Sequence, residues 1–431
     1  MTSKTNRDIT VGSKACNFLL NRYNKYKERG YADVVSRIFH GIPSKHAQVS
    51  YNNIEFCDNP TDSSHIEIQN VLHLGSYNYS GLNGHPDIIA AAKTALENFG
   101  TTTSGVRLLN GTSRLHIELE KKLAEFLRYD TVITYSSGFA ANLAVFDTLC
   151  DANDVIFSDS LNHESIVKGI ELSGARCEVF PHKDMAALAA LLEKESPEIR
   201  KFIVTDGVFS MDGDLAPLPE LCDLSEKYGC FLIVDDAHGT AAIGPNGRGT
   251  VAHFGLEDKV DIITGSLSKG LPGIGGFVAC NDKTGIVLRT GSAPYIFSAS
   301  IPPATAAGIL KAVEILETSP EIAESLQYNA KFLRDSLRAA DIDILDSETA
   351  VIPIVVRADE KAFMLAKRLH EKGVYANPVV FPAVKKGRAR VRLNVSADLT
   401  QQELDFAVKT LIEETKAVLE STNALAPAEM A

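Results

Sequence analysis

Residues 201–237, KFIVTDGVFSMDGDLAPLPELCDLSEKYGCFLIVDDA, decide the fold. An apolar run ends in Asp206-Gly207, a polar glycine-bearing turn leads to the helical stretch LPELCDLSEKYG, and a second apolar run ends in Asp235-Asp236-Ala237. Strands that are apolar throughout must be covered on both faces, so strand, helix, strand in this form is one repeat of a parallel sheet. Upstream the same alternation runs through helix HIELEKKLAEFLRY, strand TVITYSS, helix FAANLAVFDTLC, strand DVIFSD, helix HESIVKGIELSG, strand CEVFPH and helix DMAALAALLEKE. Downstream it reaches the strand-type run Val260 to Thr264. The expected class is therefore α/β, a mostly parallel sheet with helices on both faces.

In such sheets ligands gather at the carboxyl ends of the strands. Those ends carry Ser136-Ser137-Gly138, Ser158-Asp159, Asp206-Gly207, Asp235-Asp236-Ala237-His238 and Ser266-Leu267-Ser268-Lys269. Lys269 leaves a buried strand and enters a glycine-rich segment, GLPGIGGFVAC, whose backbone can turn sharply and approach a ligand. A lysine partly desolvated there can act as a nucleophile or hold a Schiff base.

The chain has 431 residues, 45% of them hydrophobic, enough for a large core with a satellite unit. Division falls at residues 1–70, an arm beginning with an amphipathic helix over 17–29; 71–310, a large domain; and 311–431, a smaller C-terminal α+β domain ending in a frayed tail, NALAPAEMA. A net charge of −12 without a basic run interleaved with aromatics argues against nucleic acid as a partner. Seven dispersed cysteines without a CxxC pair read as reduced thiols, and the polar start lacks the apolar core of a secretory signal, so a cytoplasmic protein is expected. No run approaches the length of a membrane span, and no metal-ligand spacing occurs.

Pyridoxal phosphate asks four things of a protein: a lysine, a carboxylate facing the pyridine nitrogen, a platform for the ring and a cup for the phosphate. Lys269 and Asp235 supply the first two, and His163, at a helix start, could lie against a ring. Gly138, where a strand gives way to a helix, opens the kind of helix N-terminus that receives a dianion, and Ser266 could add a hydroxyl. Each has a plainer reading when taken alone. Asp235 could cap a turn, His238 and His163 could be structural histidines, and strand-glycine-helix joins occur in every α/β protein.

Together, GSLSKGLPGIGGFVA, VTDGVFSMDGDLAPL, IVDDAHGTAAIGPNGRG, SDSLNHESIVKGI and SYNYSGLNGHPDII resemble the α-oxoamine synthase family, over about residues 72–398. That family includes 8-amino-7-oxononanoate synthase, 2-amino-3-ketobutyrate CoA ligase, 5-aminolevulinate synthase and serine palmitoyltransferase. The resemblance implies a fold-type I pyridoxal-phosphate transferase with a seven-stranded, mostly parallel sheet. It also implies decarboxylative condensation of glycine, alanine or serine with an acyl thioester, carried on CoA or acyl carrier protein, in a homodimer with shared sites.

Lys269 would then form the Schiff base and shuttle the Cα proton, and Asp235 would meet the ring nitrogen. His238 would bind the phenolic oxygen with Ser210 nearby, and His163 would stack. Gly138, Phe139 and Ser266 would serve the phosphate, and Ser298 and Ser300 the partner's phosphate. Arg392 would take the amino-acid carboxylate with Asn78, and Arg107 would face the acyl carrier. One departure stands out: Phe381-Pro382-Ala383 replaces the Pro-Pro-Thr or Tyr-Pro-Thr of many members, and serine palmitoyltransferases also tend to carry Pro-Ala there. Two other readings remain: a catalytically silent partner subunit of the same fold, and a serine acyl-enzyme, since Ser266-Leu267-Ser268-Lys269 matches S-x-x-K and Lys283-Thr284-Gly285 supplies K-T-G. Against the second, Ser266 ends a strand instead of opening a helix.

Overall fold

A computed structural model describes residues 13–28, 37–50 and 68–421. The expected tail, residues 423–431, lies outside them, as does Cys57. The chain divides into two compact units, one of residues 1–73, 356–391 and 410–431, the other of residues 74–355 and 392–409.

The second unit is built on a seven-stranded sheet. Its strands are β1 (Thr131–Tyr135), β2 (Val155–Asp159), β3 (Arg176–Phe180), β4 (Lys201–Asp206), β5 (Cys230–Asp235), β6 (Ile262–Ser266) and β7 (Gly276–Cys280), in the spatial order β1-β7-β6-β5-β4-β2-β3. The pairs from β3 to β6 are parallel, and β7 runs antiparallel to both neighbours. Every parallel strand read from the sequence is present. The last strand, β7, is not evident in the sequence because Gly273, Gly275 and Gly276 read as loop. Glycine is needed because the backbones meet there: a Cβ on Gly276 would lie 2.3 Å from Ser137 O, and one on Gly265 2.4 Å from the Phe277 ring.

Alternate residues of the inner strands enter different cores, whereas the edge strand β3 buries only Phe180. Leu232 and Val234 of β5, Val155 and Phe157 of β2, and Phe277 and Ala279 of β7 join one apolar cluster. Ile233, Ile156, Val278 and Cys280, the intervening residues, join the other. This two-sided burial is what the continuous apolar runs required. Helix α1 (Gly138–Leu149) and helix α2 (Glu164–Ser173) cover the second face through Ala141, Val145, Phe146, Ile166 and Ile170. Ser137 caps α1 by accepting from Ala140 N, and left-handed Gly174 ends α2.

The first unit holds a four-stranded sheet in the order Ile38–His40, His46–Ser50, Ile68–His73 and Val374–Tyr375. Ala47, Val49, Val71 and Tyr375 form its small apolar cluster. Phe381-Pro382-Ala383 belongs to this unit. No described helix is long and apolar enough to cross a membrane.

Candidate active site

The register of the sheet levels its polar strand ends. Asp206 of β4 pairs with Asp235 of β5, which pairs with Thr264 of β6. Around them lies a cavity of about 240 Å³, lined by Lys269, Asp235, His238, His163, Gly138, Phe139, Ser210 and Ser266, and also by Ser137, Asn142, Ser165, Asp206, Val208, Ala237 and Ser268.

Lys269 is poised by conflict. Desolvation lowers its pKa, Asp235 and Asp206 raise it, and Arg392 lowers it again, with a net fall. Among the described residues it forms no ion pair, and the Tyr77 ring lies 5.8 Å from Nζ. His238 is pushed well below its ordinary value by burial, then by Lys269, Arg392 and His163, so it is neutral. Tyr79, wholly buried, places its hydroxyl 2.7 Å from His238 Nδ1 and 3.4 Å from Asn394 Oδ1.

Asp235 is 7% exposed and held on both oxygens. Oδ1 accepts from Ala237 N at 3.0 Å and Oδ2 from Asn142 Nδ2 at 2.6 Å. Asp206 is driven upward by burial and by Asp235, against the pull of Lys269. Desolvation also lowers His163.

Arg392 lies beside the cavity wall: Nη1 donates to Ser210 O at 3.1 Å, and Nη2 donates to the Tyr77 hydroxyl. Its Nε is buried without a hydrogen-bond partner, as is Asn78 Nδ2. Two unspent donors of this kind suit a carboxylate.

The remaining sequence candidates sit elsewhere in the unit. Arg107 is 6% exposed and donates to Glu120 Oε1 at 2.6 Å and to Thr134 Oγ1 at 2.6 Å, stacked over Tyr295. It does not line the cavity. Ser300 donates to Gly111 O at 2.6 Å, and Ser298 precedes the bridge between Val106 and Ala299; neither lines the cavity. Residues to which sequence reasoning gave no role include Asn142, Ser165, Tyr77 and Tyr79, while Asp206 was noted only as a strand end. Asn142 carried a signal, being the lone amide among the apolar positions of GFAANLAVFDTL.

Residues 69–411 match the family model of class I and II aminotransferases. The 8-amino-7-oxononanoate synthase 1 of Bacillus velezensis is 42% identical over 349 residues, 81% of this chain and 89% of that protein. The chain belongs to the α-oxoamine synthase family. The 8-amino-7-oxononanoate synthase of Treponema denticola is 42% identical over 83% of this chain and 91% of its own. Among solved structures, the serine palmitoyltransferase of Sphingomonas wittichii superposes with a TM-score of 0.87 at 30% identity, covering 96% of this chain and 99% of that one. A second, with pyridoxal phosphate, gives 0.87 at 31% identity over the same shares. As an α-oxoamine synthase, the chain is a pyridoxal-phosphate-dependent acyltransferase that joins an amino acid to an acyl thioester with loss of CO2.

The residues present fit that coenzyme. A desolvated lysine, a buried carboxylate and two neutral histidines share one cavity with the start of α1, whose first amides have no partner within the helix. Gly138 lets that start pack closely on β6, since a Cβ there would lie 3.3 Å from Gly265 O.

Proposed function

We propose that residues 74–355 and 392–409 form the coenzyme-binding unit and that Lys269 Nζ would hold pyridoxal phosphate in its cavity. Asp235 would meet the ring nitrogen, His238 the phenolic oxygen with Ser210 beside it, and His163 the ring face. Gly138, Phe139 and Ser266 would receive the phosphate. When bound, the coenzyme supplies an electron sink for the bond broken at the amino acid Cα.

Arg392 and Asn78 hold the amino-acid carboxylate through the donors they leave unpaired. Lys269, its proton affinity lowered by desolvation, takes the Cα proton on Nζ and later returns it. Neutral His238, fixed by Tyr79, donates without adding a charge to the cavity. Cα joins the thioester carbonyl carbon, the thiol leaves, and the carboxylate departs as CO2, giving an α-amino ketone.

The product for which these relatives are named, 8-amino-7-oxononanoate, carries its amino group on C8, next to the C7 ketone and bearing the terminal methyl. That is the residue of alanine after loss of its carboxylate, so alanine is the first amino acid to try. A homodimer is supported by Leu109 and Phe297, 78% and 80% exposed on segments joined by the Val106–Ala299 bridge. A cytoplasmic setting is supported by the six described cysteines, all free thiols.

One observation carries the reading: a desolvated lysine faces two strand-end carboxyl groups across a cavity that opens on a helix N-terminus. The protein is mixed with glycine, alanine or serine and with short, long and carrier-bound acyl thioesters, and thiol and CO2 release are followed. One amino acid should release both in equal amounts. Lys269→Ala should lose turnover and the visible absorbance of bound coenzyme, and a yellow, active Lys269→Ala protein would overturn the proposal.

A further inference from the structure

Asn142 sits in the second turn of α1, 2% exposed, on a helix that otherwise buries Ala141, Ala144, Val145 and Phe146. A buried amide is costly unless its hydrogen bonds are made. Here three are. Nδ2 donates to Asp235 Oδ2 at 2.6 Å and to Ser165 Oγ at 2.8 Å, and Oδ1 accepts from Thr264 Oγ1 at 2.7 Å.

The directions follow from chemistry. The Asp235 carboxylate can only accept from the amide, so Nδ2 must face it and Oδ1 must face the Thr264 hydroxyl, which is wholly buried and has its proton to give. Ser165 Oγ accepts one amide proton and has its own left for His163 Nδ1, 2.7 Å away. Ser165 N donates to the same Nδ1 at 3.3 Å, so Nδ1 is an acceptor and the His163 proton lies on Nε2. One directional chain therefore runs from Thr264 to Asn142, where it divides to Asp235 and, through Ser165, to His163.

We propose that Asn142 is a positioning residue that locks the Asp235 carboxylate and the His163 ring into one rigid frame for the coenzyme. This rests on the assignment of Asp235 and His163 to the coenzyme ring. Asn142 sets two features at once: which lone pair of Asp235 is left for the cavity, and, by occupying an Oγ lone pair of Ser165, the turn of that hydroxyl's proton toward His163 Nδ1. Removing it frees the carboxylate to rotate about its remaining bond from Ala237 N and leaves the Thr264 hydroxyl buried without its acceptor.

The test compares Asn142→Ala, Asn142→Asp, Ser165→Ala and Thr264→Val with Asp235→Asn in the coenzyme-loaded protein. The readouts are the coenzyme dissociation constant, the pH profile of the visible band, and kcat and KM for the amino acid. Loss of an outer partner of this kind lowers affinity by about 10–100-fold. Asn142→Ala should reach that range with kcat falling and KM little changed. Asn142→Asp, which sets a second carboxyl against Asp235, should move the band's pH profile upward. Thr264→Val and Ser165→Ala, which keep volume nearly constant, should each give a smaller change in the same readouts.

Wild-type coenzyme affinity and pH profile in Asn142→Ala would overturn the inference. If that variant does not fold, Thr264→Val and Ser165→Ala decide it, and unchanged profiles in both would overturn it equally. Asp235→Asn separates the two readings. An unaltered Asp235→Asn protein defeats the assignment of Asp235 itself, whereas an impaired Asp235→Asn with intact Asn142 variants defeats only the role of Asn142.

Discussion

Two places in the second unit bury a cation beside an acid, and they have opposite outcomes. Around Glu120 the charges are spent on one another. Its oxygens accept from Arg107 at 2.6 Å, from the backbone and hydroxyl of Thr134 at 2.8 Å each, and from Arg289 at 2.9 Å. Burial raises its pKa, but Arg107 and its other partners prevail and hold it below the usual carboxylate range. Around Lys269 the acids and the cation face a cavity instead, and the result is a lysine depressed and an Asp206 raised. A closed cluster stabilises. An open one keeps its charges for a ligand, which is the usual mark of a functional site.

The sharpest way to break that contrast is to remove one charge from each cluster in turn and compare rate with stability. Lys269→Met deletes a desolvated charge that has no ion pair, so turnover should fall by about 10²–10⁴-fold or more, while the thermal midpoint stays level or rises. A large loss of stability measured by denaturant titration would mean that the lysine was structural. Glu120→Gln should do the reverse. The buried Arg107 and the half-buried Arg289 lose their acid, at a cost of about 3–5 kcal/mol, and the fraction that stays folded should bind coenzyme as before.

A third cluster gives the smallest effect and a pH signature. His182 lies between Asp159, 3.0 Å from Nδ1, and Asp214, 2.9 Å from Nε2. Burial alone would lower it, but the hydrogen bonds to Asp159 and Asp214 prevail and raise it from 6.5 to about 9. Because the folded value lies above the unfolded one, its stabilisation is complete below 6.5 and is lost as the pH rises through about 9. His182→Gln should therefore cost about 1–3 kcal/mol in acid solution, with the two proteins converging in unfolding experiments at high pH. A gap that stays constant with pH would show that packing against Phe209, not charge, holds the cluster.

Much of this was legible in the chain. Apolar runs such as FLIV and FIVT have no solvent face, so a sheet covered on both sides was unavoidable, and polar residues at the ends of those runs had to cluster at one edge. Lys269, Asp235 and His238 were visible for that reason. Strand β7 was not, because glycines that permit close packing look the same in sequence as glycines that permit a turn. Arg107 and Arg392 are equally unreadable in isolation: both are arginines beside apolar residues, and only the presence of Glu120 beside one and a buried, unpartnered Nε on the other separates them.

What the sequence determined by itself is the order of strands and helices and the chemical character of each strand end, since both depend on neighbours within a few residues. What only the tertiary structure decided is which buried groups meet. Asn142 reaches Asp235 across 93 positions and Thr264 across 122, and Arg107 reaches Glu120 from a different element. Whether a buried charge is neutralised or left facing a cavity depends on distances of a few ångströms between such remote segments, because both hydrogen bonding and desolvation act at that range.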